Sequence, residues 1–215
     1  MKGHLQLLRY LFTIVLPLFI FIFITIKVMN KDTVNFDNFI YYHVAEFMSP
    51  KVTQLFKLFT FLGSGEFFSV LVIILLLVFY TNEKYSFFSA MIAINLLISL
   101  IINKGLKNIF RRNRPDILKL VSAGGFSFPS GHSMVSMSFY GLLLFLCFRN
   151  FKNNMKYLIM LLLSAVILLI GLSRIYLGVH YASDVAGGFS LGILWLGIYS
   201  LIIDLRYRKK HAVSK

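Results

Sequence analysis

The sequence predicts an all-α, polytopic membrane protein with six transmembrane helices and an interfacial amphipathic helix between the first two spans. Three observations carry that prediction. Apolar residues make up 58% of the 215 and charged residues only 14%, against roughly 45–50% and about 25% in soluble domains. Six stretches are apolar enough to be read as spans, with 23 Phe among Leu and Ile runs. The segment between the first two is too polar to cross, yet part of it repeats apolar residues at helical spacing.

The first span covers residues 7–28, "LLRYLFTIVLPLFIFIFITIKV". It is longer than the apolar core of a signal peptide and lacks a small-residue cleavage site, so it is read as retained. In the following segment "SPKVTQLFKLFTFLG", Pro50 stands near a helix N-terminus. Val52, Leu55, Phe56, Phe59 and Leu62 then fall on one side, with Lys51, Gln54 and Lys57 on the other. Such a helix is expected to lie in the membrane interface. The "GSG" at 63–65 lacks the Lys-Ser/Thr ending of a phosphate loop and reads as a turn before the second span. The remaining spans are expected at 66–80, 86–103, 130–148, 155–172 and 184–203. With no internal repeat or low-complexity tract, residues 1–215 are read as a single integral membrane domain.

The formal charge of +14 does not imply nucleic acid, because no soluble basic module exists to hold it. Lys and Arg of polytopic proteins gather instead in cytoplasmic loops and near lipid head groups. Six spans put both termini on one face, together with Lys2, Arg9, Lys84, Arg149, Lys152, Lys156, Arg206, Arg208, Lys209, Lys210 and Lys215. The other face carries as many basic residues, but in longer loops. Their crowding into the short turn "RNFKNNMK" and the tail predicts cytoplasmic termini in a cell membrane. Cys147 is the one cysteine and lies in an apolar run, so no intrachain disulfide can form.

On that topology the third span ends, the fourth begins, the fifth ends and the sixth begins on one extracytoplasmic face. Three polar clusters occupy those ends: "KNIFRRNRP" (107–115), "PSGH" (129–132) and "SRIYLGVHYASD" (173–184). Lys107 and Arg114 are about two helical turns apart, so a helix there would put both on one side. Arg offers phosphate a planar fork and Lys a compact charge, although head-group-facing loop charges would look the same, with Arg111 and Arg112 beside them. In "PSGH", the Ser130 hydroxyl and the free N–H groups at a helix start form an anion site. Gly131 opens the backbone to close approach. His132 stands one residue beyond, placed to move a proton, unless it is simply an interfacial side chain. His180 and Asp184 share a helical face if the sixth helix begins there. The carboxylate would then hold one imidazole nitrogen as N–H and leave the other as a nucleophile; a purely structural His–Asp bond is the alternative. Arg174 adds a second fork.

Together the clusters read differently. Two His, one Asp, two Arg, one Lys and a helix start on one face form a phosphoryl-transfer inventory. Ionisable residues at membrane depth cost about 2.5–3.5 kcal/mol each, which argues for a role. No HExxH, Cys/His cluster or carboxylate pair suggests a metal.

These strings resemble the signature of the type-2 phosphatidic acid phosphatase superfamily, which also includes vanadium haloperoxidases. The signature reads K-x6-R-P, P-S-G-H and S-R-x5-H-x3-D. It is matched here by Lys107, Arg114 and Pro115; by Pro129, Ser130, Gly131 and His132; and by Ser173, Arg174, His180 and Asp184. The resemblance implies that His180 forms a phosphohistidine, oriented by Asp184, and that His132 protonates the leaving oxygen and then activates water. It implies that Lys107, Arg114, Ser130, Gly131 and Arg174 hold the phosphoryl oxygens, with no metal or other cofactor. The expected substrate is a membrane lipid phosphate: phosphatidylglycerophosphate, undecaprenyl diphosphate or phosphatidic acid. A lipid phosphotransferase would use the same residues, and a transporter or anion-binding protein would use only the basic ones. The six spans argue against haloperoxidase activity. The first two spans and the interfacial helix carry no diagnostic residues, and substrate choice is expected to reside there.

Overall fold

The chain is described by a computed structural model that covers the backbone of residues 7–213, and their side chains except at 83–85 and 204–213. Lys2 and Lys215, and the side chains of Lys84, Arg206, Arg208, Lys209 and Lys210, therefore lie outside the described residues. Those residues form helices and connecting turns, and no strand occurs among them. The helices are α1 (Leu7–Met29), α2 (Val34–Ala45), α3 (Pro50–Leu62), α4 (Gly65–Val78), α5 (Glu83–Phe110), α6 (Gly131–Asn150), α7 (Met155–Tyr176) and α8 (Ala182–Val213).

Among the described residues five helices are long and apolar enough to cross a membrane: α1, α5, α6, α7 and the part of α8 to Ile203. The expected span at 66–80 takes another form. Helix α4 stops at Val78, and its 14 residues rise about 21 Å, short of a hydrocarbon core of about 30 Å. It continues α3 through a 48° bend, so the pair is a broken span or a re-entrant loop, and the count reaches six if each bent pair is one span. Ser64 makes the "GSG" a turn, as expected. Its side chain accepts the Phe67 N–H at 3.1 Å and starts α4.

Helix α3 forms over the anticipated residues, with Pro50 in its first turn and the Ser49 side chain accepting from Val52 N. Its apolar side is divided. Phe56 is buried against Tyr176 of α7, with ring centroids 4.5 Å apart, while Leu55 stays exposed. Its polar edge also faces inward, since Thr53 Oγ1 lies 2.9 Å from Tyr176 Oη. Helix α2 is an addition to the sequence reading. Its segment "VNFDNFIYYHVA" scatters aromatics around the helix and shows no clean period.

Pro17 leaves its mark on α1. Lacking an N–H, it cannot bond the Thr13 carbonyl, and the helix widens to a π-turn over Leu11–Val15. Gly197 of α8 packs directly on that carbonyl, where a Cβ would collide with it. Helix α6 lies at the centre, between α5, α7 and α8. Val135, Phe139 and Leu142 of α6 join Phe68, Leu96, Ile167 and Ile170 in the main core. Leu77, Ile101, Leu161 and Leu168 point outward and are exposed, as lipid-facing side chains must be.

Polar groups cross-link the spans where apolar contact has little to gain over lipid. Buried Asn95 of α5 donates to Ser138 O at 2.9 Å and accepts from Trp195 Nε1 at 2.8 Å. Tyr199 Oη donates to Met91 O at 2.7 Å. These bonds hold α5, α6 and α8 in register below the polar end of the bundle.

Candidate active site

At that end the three clusters meet. Lys107, Arg114, Gly131, His132, Arg174 and His180 line one cleft of about 980 Å³. The α3–α4 bend closes its other side with Thr60, Phe61, Ser64 and Glu66. The bent α3–α4 pair therefore contributes a wall of the site.

The stretch after α5 departs from expectation. The helix ends at Phe110, and Arg111 has a left-handed φ of 49°, so Lys107 and Arg114 do not share a helical side. Arg114 precedes Pro115, a position where helical backbone is disfavoured. Its guanidinium is locked from behind, donating to Gly125 O at 3.0 Å, Gly124 O at 2.7 Å and Val179 O at 2.7 Å. Lys107 Nζ donates to Phe126 O at 2.9 Å. Both cations still reach the cleft, because the 124–130 segment folds across the end of α5 to receive them.

Ser130 is the N-cap of α6. Its extended backbone lets the side chain accept from Ser133 N at 3.4 Å and Ser133 Oγ at 2.9 Å. The hydroxyl is fully buried behind the cleft wall, and Gly131 is the part of the cap that faces the cleft. Asn103 supports the turn, donating to Pro129 O at 3.2 Å. A Cβ on Gly131 would sit 3.0 Å from Asn103 Oδ1. His132 follows on the cleft side, and its imidazole has no hydrogen-bond partner among the described residues.

His180 precedes α8 rather than lying on it, so the His–Asp pair meets across a turn instead of along one helical face. Gly178, at φ 71°, makes that turn, and a Cβ there would strike the Leu118 carbonyl. The N–H groups of Val179 and His180 both donate to Arg174 O, at 3.2 and 3.1 Å. His180 Nδ1 then reaches Asp184 Oδ2 at 3.4 Å and Ser127 Oγ at 3.3 Å. On the other side, Arg114 Nη1 lies 3.2 Å from His180 Nε2. A guanidinium can only donate, so Nε2 accepts and Nδ1 carries the proton. Burial pushes the His180 imidazole down to about 3, against the pull of the Asp184 carboxylate, which keeps the ring neutral.

Asp184 is fully buried and saturated with donors. Oδ1 accepts Arg112 Nη1 at 2.6 Å. Oδ2 accepts the Tyr181 N–H at 2.9 Å and the Ser127 hydroxyl. Arg174, 5% exposed, donates to Thr60 Oγ1 from Nη1, while its buried Nε has no partner among the described residues. A buried guanidinium with donors to spare beside a cleft is suited to an anion.

Sequence reasoning missed Thr60, Asn103, Arg112 and Ser127. In the sequence Arg112 reads as one of the head-group-facing loop charges, yet it forms an ion pair with Asp184. Its neighbour Arg111 is exposed, and a pair of adjacent Arg gives no sign of which one turns inward. Ser127 had a weak signal, in that it belongs to the same polar run as "PSGH".

The arrangement presents a neutral imidazole nitrogen, a second imidazole, three cations and a helix start to one cleft. The chain is similar to several known proteins. The family model for the PAP2 superfamily matches residues 87–208. Phosphatidylglycerophosphatase B of Bacillus subtilis (strain 168) is 42% identical over 96 residues, which is 44% of this chain and 47% of that relative; the match thus spans about half of the relative's length. The crystal structure of a transmembrane PAP2 type phosphatidylglycerolphosphate phosphatase from Bacillus subtilis superposes with a TM-score of 0.80 at 27% identity, covering 88% of this chain and 95% of that one. Aquifex aeolicus LpxE gives a TM-score of 0.59 at 26% identity, over 75% of this chain and 92% of that one.

Proposed function

The chain belongs to the PAP2 superfamily, and from that premise we propose that it is a membrane lipid phosphatase. It removes the terminal phosphate of a lipid phosphomonoester or diphosphate through a phosphohistidine on His180. The observation that carries this reading is the neutral Nε2 of His180 in a cleft that also holds Lys107, Arg114, Arg174 and His132.

The geometry supports the following course for the proposed reaction. Phosphate oxygens take the donors of Arg174, Lys107, Arg114 and the start of α6, which neutralise the charge that develops in transfer. Nε2 attacks phosphorus in line while Asp184 stabilises the ring as it becomes cationic. His132 gives a proton to the departing lipid oxygen, then takes one from the water that cleaves the phosphorus–nitrogen bond. His180 returns to its neutral form and inorganic phosphate leaves. The protein's own cations supply the positive charge, so no metal is needed for a step.

The cleft lies at the end of the spans, where a lipid's phosphate would sit while its tail stays in the bilayer. The names of the Bacillus relatives favour phosphatidylglycerophosphate; phosphatidic acid and undecaprenyl diphosphate carry the same terminal group. The crowding of basic residues in the 149–156 turn and the tail favours cytoplasmic termini and an extracytoplasmic cleft. Transfer of the phosphoryl group to an alcohol instead of water would use the same residues.

The test is phosphate release by detergent-solubilised protein, with EDTA present, from these three lipids with and without an acceptor alcohol. Release that EDTA leaves intact and His180→Ala abolishes supports the phosphatase. Phosphorylated acceptor in place of free phosphate would make it a transferase. Binding of lipid phosphate with no turnover would favour a transporter or anion-binding protein.

A further inference from the structure

The Arg112 guanidinium bridges two buried carboxylates. Its Nη1 donates to Asp184 Oδ1 at 2.6 Å and to Ser183 Oγ at 2.7 Å. Its Nη2 donates to Asp37 Oδ2 at 2.8 Å and to Thr33 Oγ1 at 3.1 Å. The Tyr181 ring lies 4.0 Å from the guanidinium carbon. Asp37 comes from α2, is 2% exposed, and also accepts the Ser183 N–H and hydroxyl, each at 2.8 Å. Two carboxylates, one guanidinium and the first turn of α8 thus form one closed network. It reaches outside residues 87–208, where the family match lies.

We infer that Arg112 and Asp37 are positioning residues for the proposed reaction: they hold the Asp184 carboxylate in the single orientation that fixes the His180 ring. This rests on the phosphatase reading. Asp184 reaches His180 at only 3.4 Å, a long bond that a small rotation of the carboxylate would break. Ser127 and the Tyr181 N–H anchor Oδ2, but Arg112 is the cation that fixes Oδ1, and Asp37 with Thr33 fixes Arg112. A misplacement of about 1 Å at a reacting group can cost on the order of 10²-fold in rate. A lysine could not replace Arg112, because one ammonium cannot span both carboxylates with paired donors.

The alternative is that the network merely ties α2 to the bundle. Kinetics separate the two. Arg112→Ala in the full chain should lower kcat about 10- to 100-fold while leaving KM unchanged, since Arg112 does not line the substrate cleft. A second cavity, of about 420 Å³, is lined by Arg112 and Tyr181 and not by His180. Added guanidinium or methylguanidinium can enter there and should restore kcat to Arg112→Ala but not to His180→Ala. Asp37→Asn keeps the shape of the buried group and guards against a folding defect. It should lower kcat less than Arg112→Ala does, and add little when the two are combined. Unchanged kcat in Arg112→Ala, or a loss that guanidinium does not restore, overturns the inference while active wild type leaves the phosphatase reading standing. A wild type that releases no phosphate from any lipid overturns that reading, and this inference with it.

Discussion

Arg114 Nη1 stands 3.2 Å from His180 Nε2, so a fixed cation occupies the lone pair proposed to attack phosphorus. An incoming phosphoryl group has to take that hydrogen bond for itself. Arg114 can make the exchange without moving, because three backbone carbonyls hold its guanidinium.

Arg114→Lys keeps the charge but loses the fork. Hydrogen bonds to charged groups are worth about 1.5–3 kcal/mol, so kcat/KM should fall by about 10- to 100-fold. Orthovanadate, which mimics the transferring phosphoryl group, should inhibit the variant more weakly than wild type. Steady-state rates with and without vanadate check both effects.

His132 and His180 should fail differently. His180→Ala removes the nucleophile, and no substrate should rescue it. His132→Ala removes the proposed acid, a contribution of about 10²–10⁴-fold. A leaving group that needs no proton, such as p-nitrophenolate, should recover much of that loss in the first step. Water attack would then limit turnover, visible as a burst of nitrophenol followed by a slow steady rate.

The His180 imidazole, held at about 3 by burial, gives a pH dependence with a defined sign. An unfolded His takes up a proton near 6.5. Below that pH the unfolded state binds a proton that the native state refuses, so stability falls as pH drops from about 6.5 toward 3. The slope from this residue is at most about 1.4 kcal/mol per pH unit. The stability difference between wild type and His180→Gln, followed across this window, should show it. The acid limb of kcat/KM should likewise lack a step near 6.5 from His180.

Asn95 offers a control remote from the cleft. Replacing it with Leu removes its bonds to Ser138 and Trp195. Interhelical polar bonds in membranes average about 0.6 kcal/mol and reach about 1.7, so unfolding in detergent should shift by that order. KM should stay at its wild-type value.

The all-helical membrane fold and the clustering of the candidate residues were both legible in the sequence, but the contacts that support the cleft were not. "PSGH" announced a helix start because Pro and Ser have backbone reasons to be there, and α6 begins at Gly131. His180 and Asp184 were paired by their spacing, although the helical face that suggested the pairing does not exist. Gly178 turns the chain and brings them together another way. Arg111 and Arg112 were indistinguishable as letters; only the packing of α2 turns one inward. Asp37 is one of eight acidic residues, and nothing in its neighbourhood tells a buried carboxylate from a solvated one. The second span differs because hydropathy counts apolar residues and does not show that α4, ending at Val78, is short and pairs with α3 through the bend at "GSG". Its consequence is functional, since that bend supplies Thr60 to Arg174 and a wall to the cleft.

The most direct test of His180 as nucleophile is to capture the phosphoenzyme. Protein mixed with lipid substrate labelled in its terminal phosphate, and quenched in alkali within the first turnover, should carry label that survives base and is lost in acid. Peptide mapping should place it on His180, with none in His180→Ala. Phosphate released at full rate with no label on His180 at any quench time would contradict covalent catalysis and leave direct attack by water.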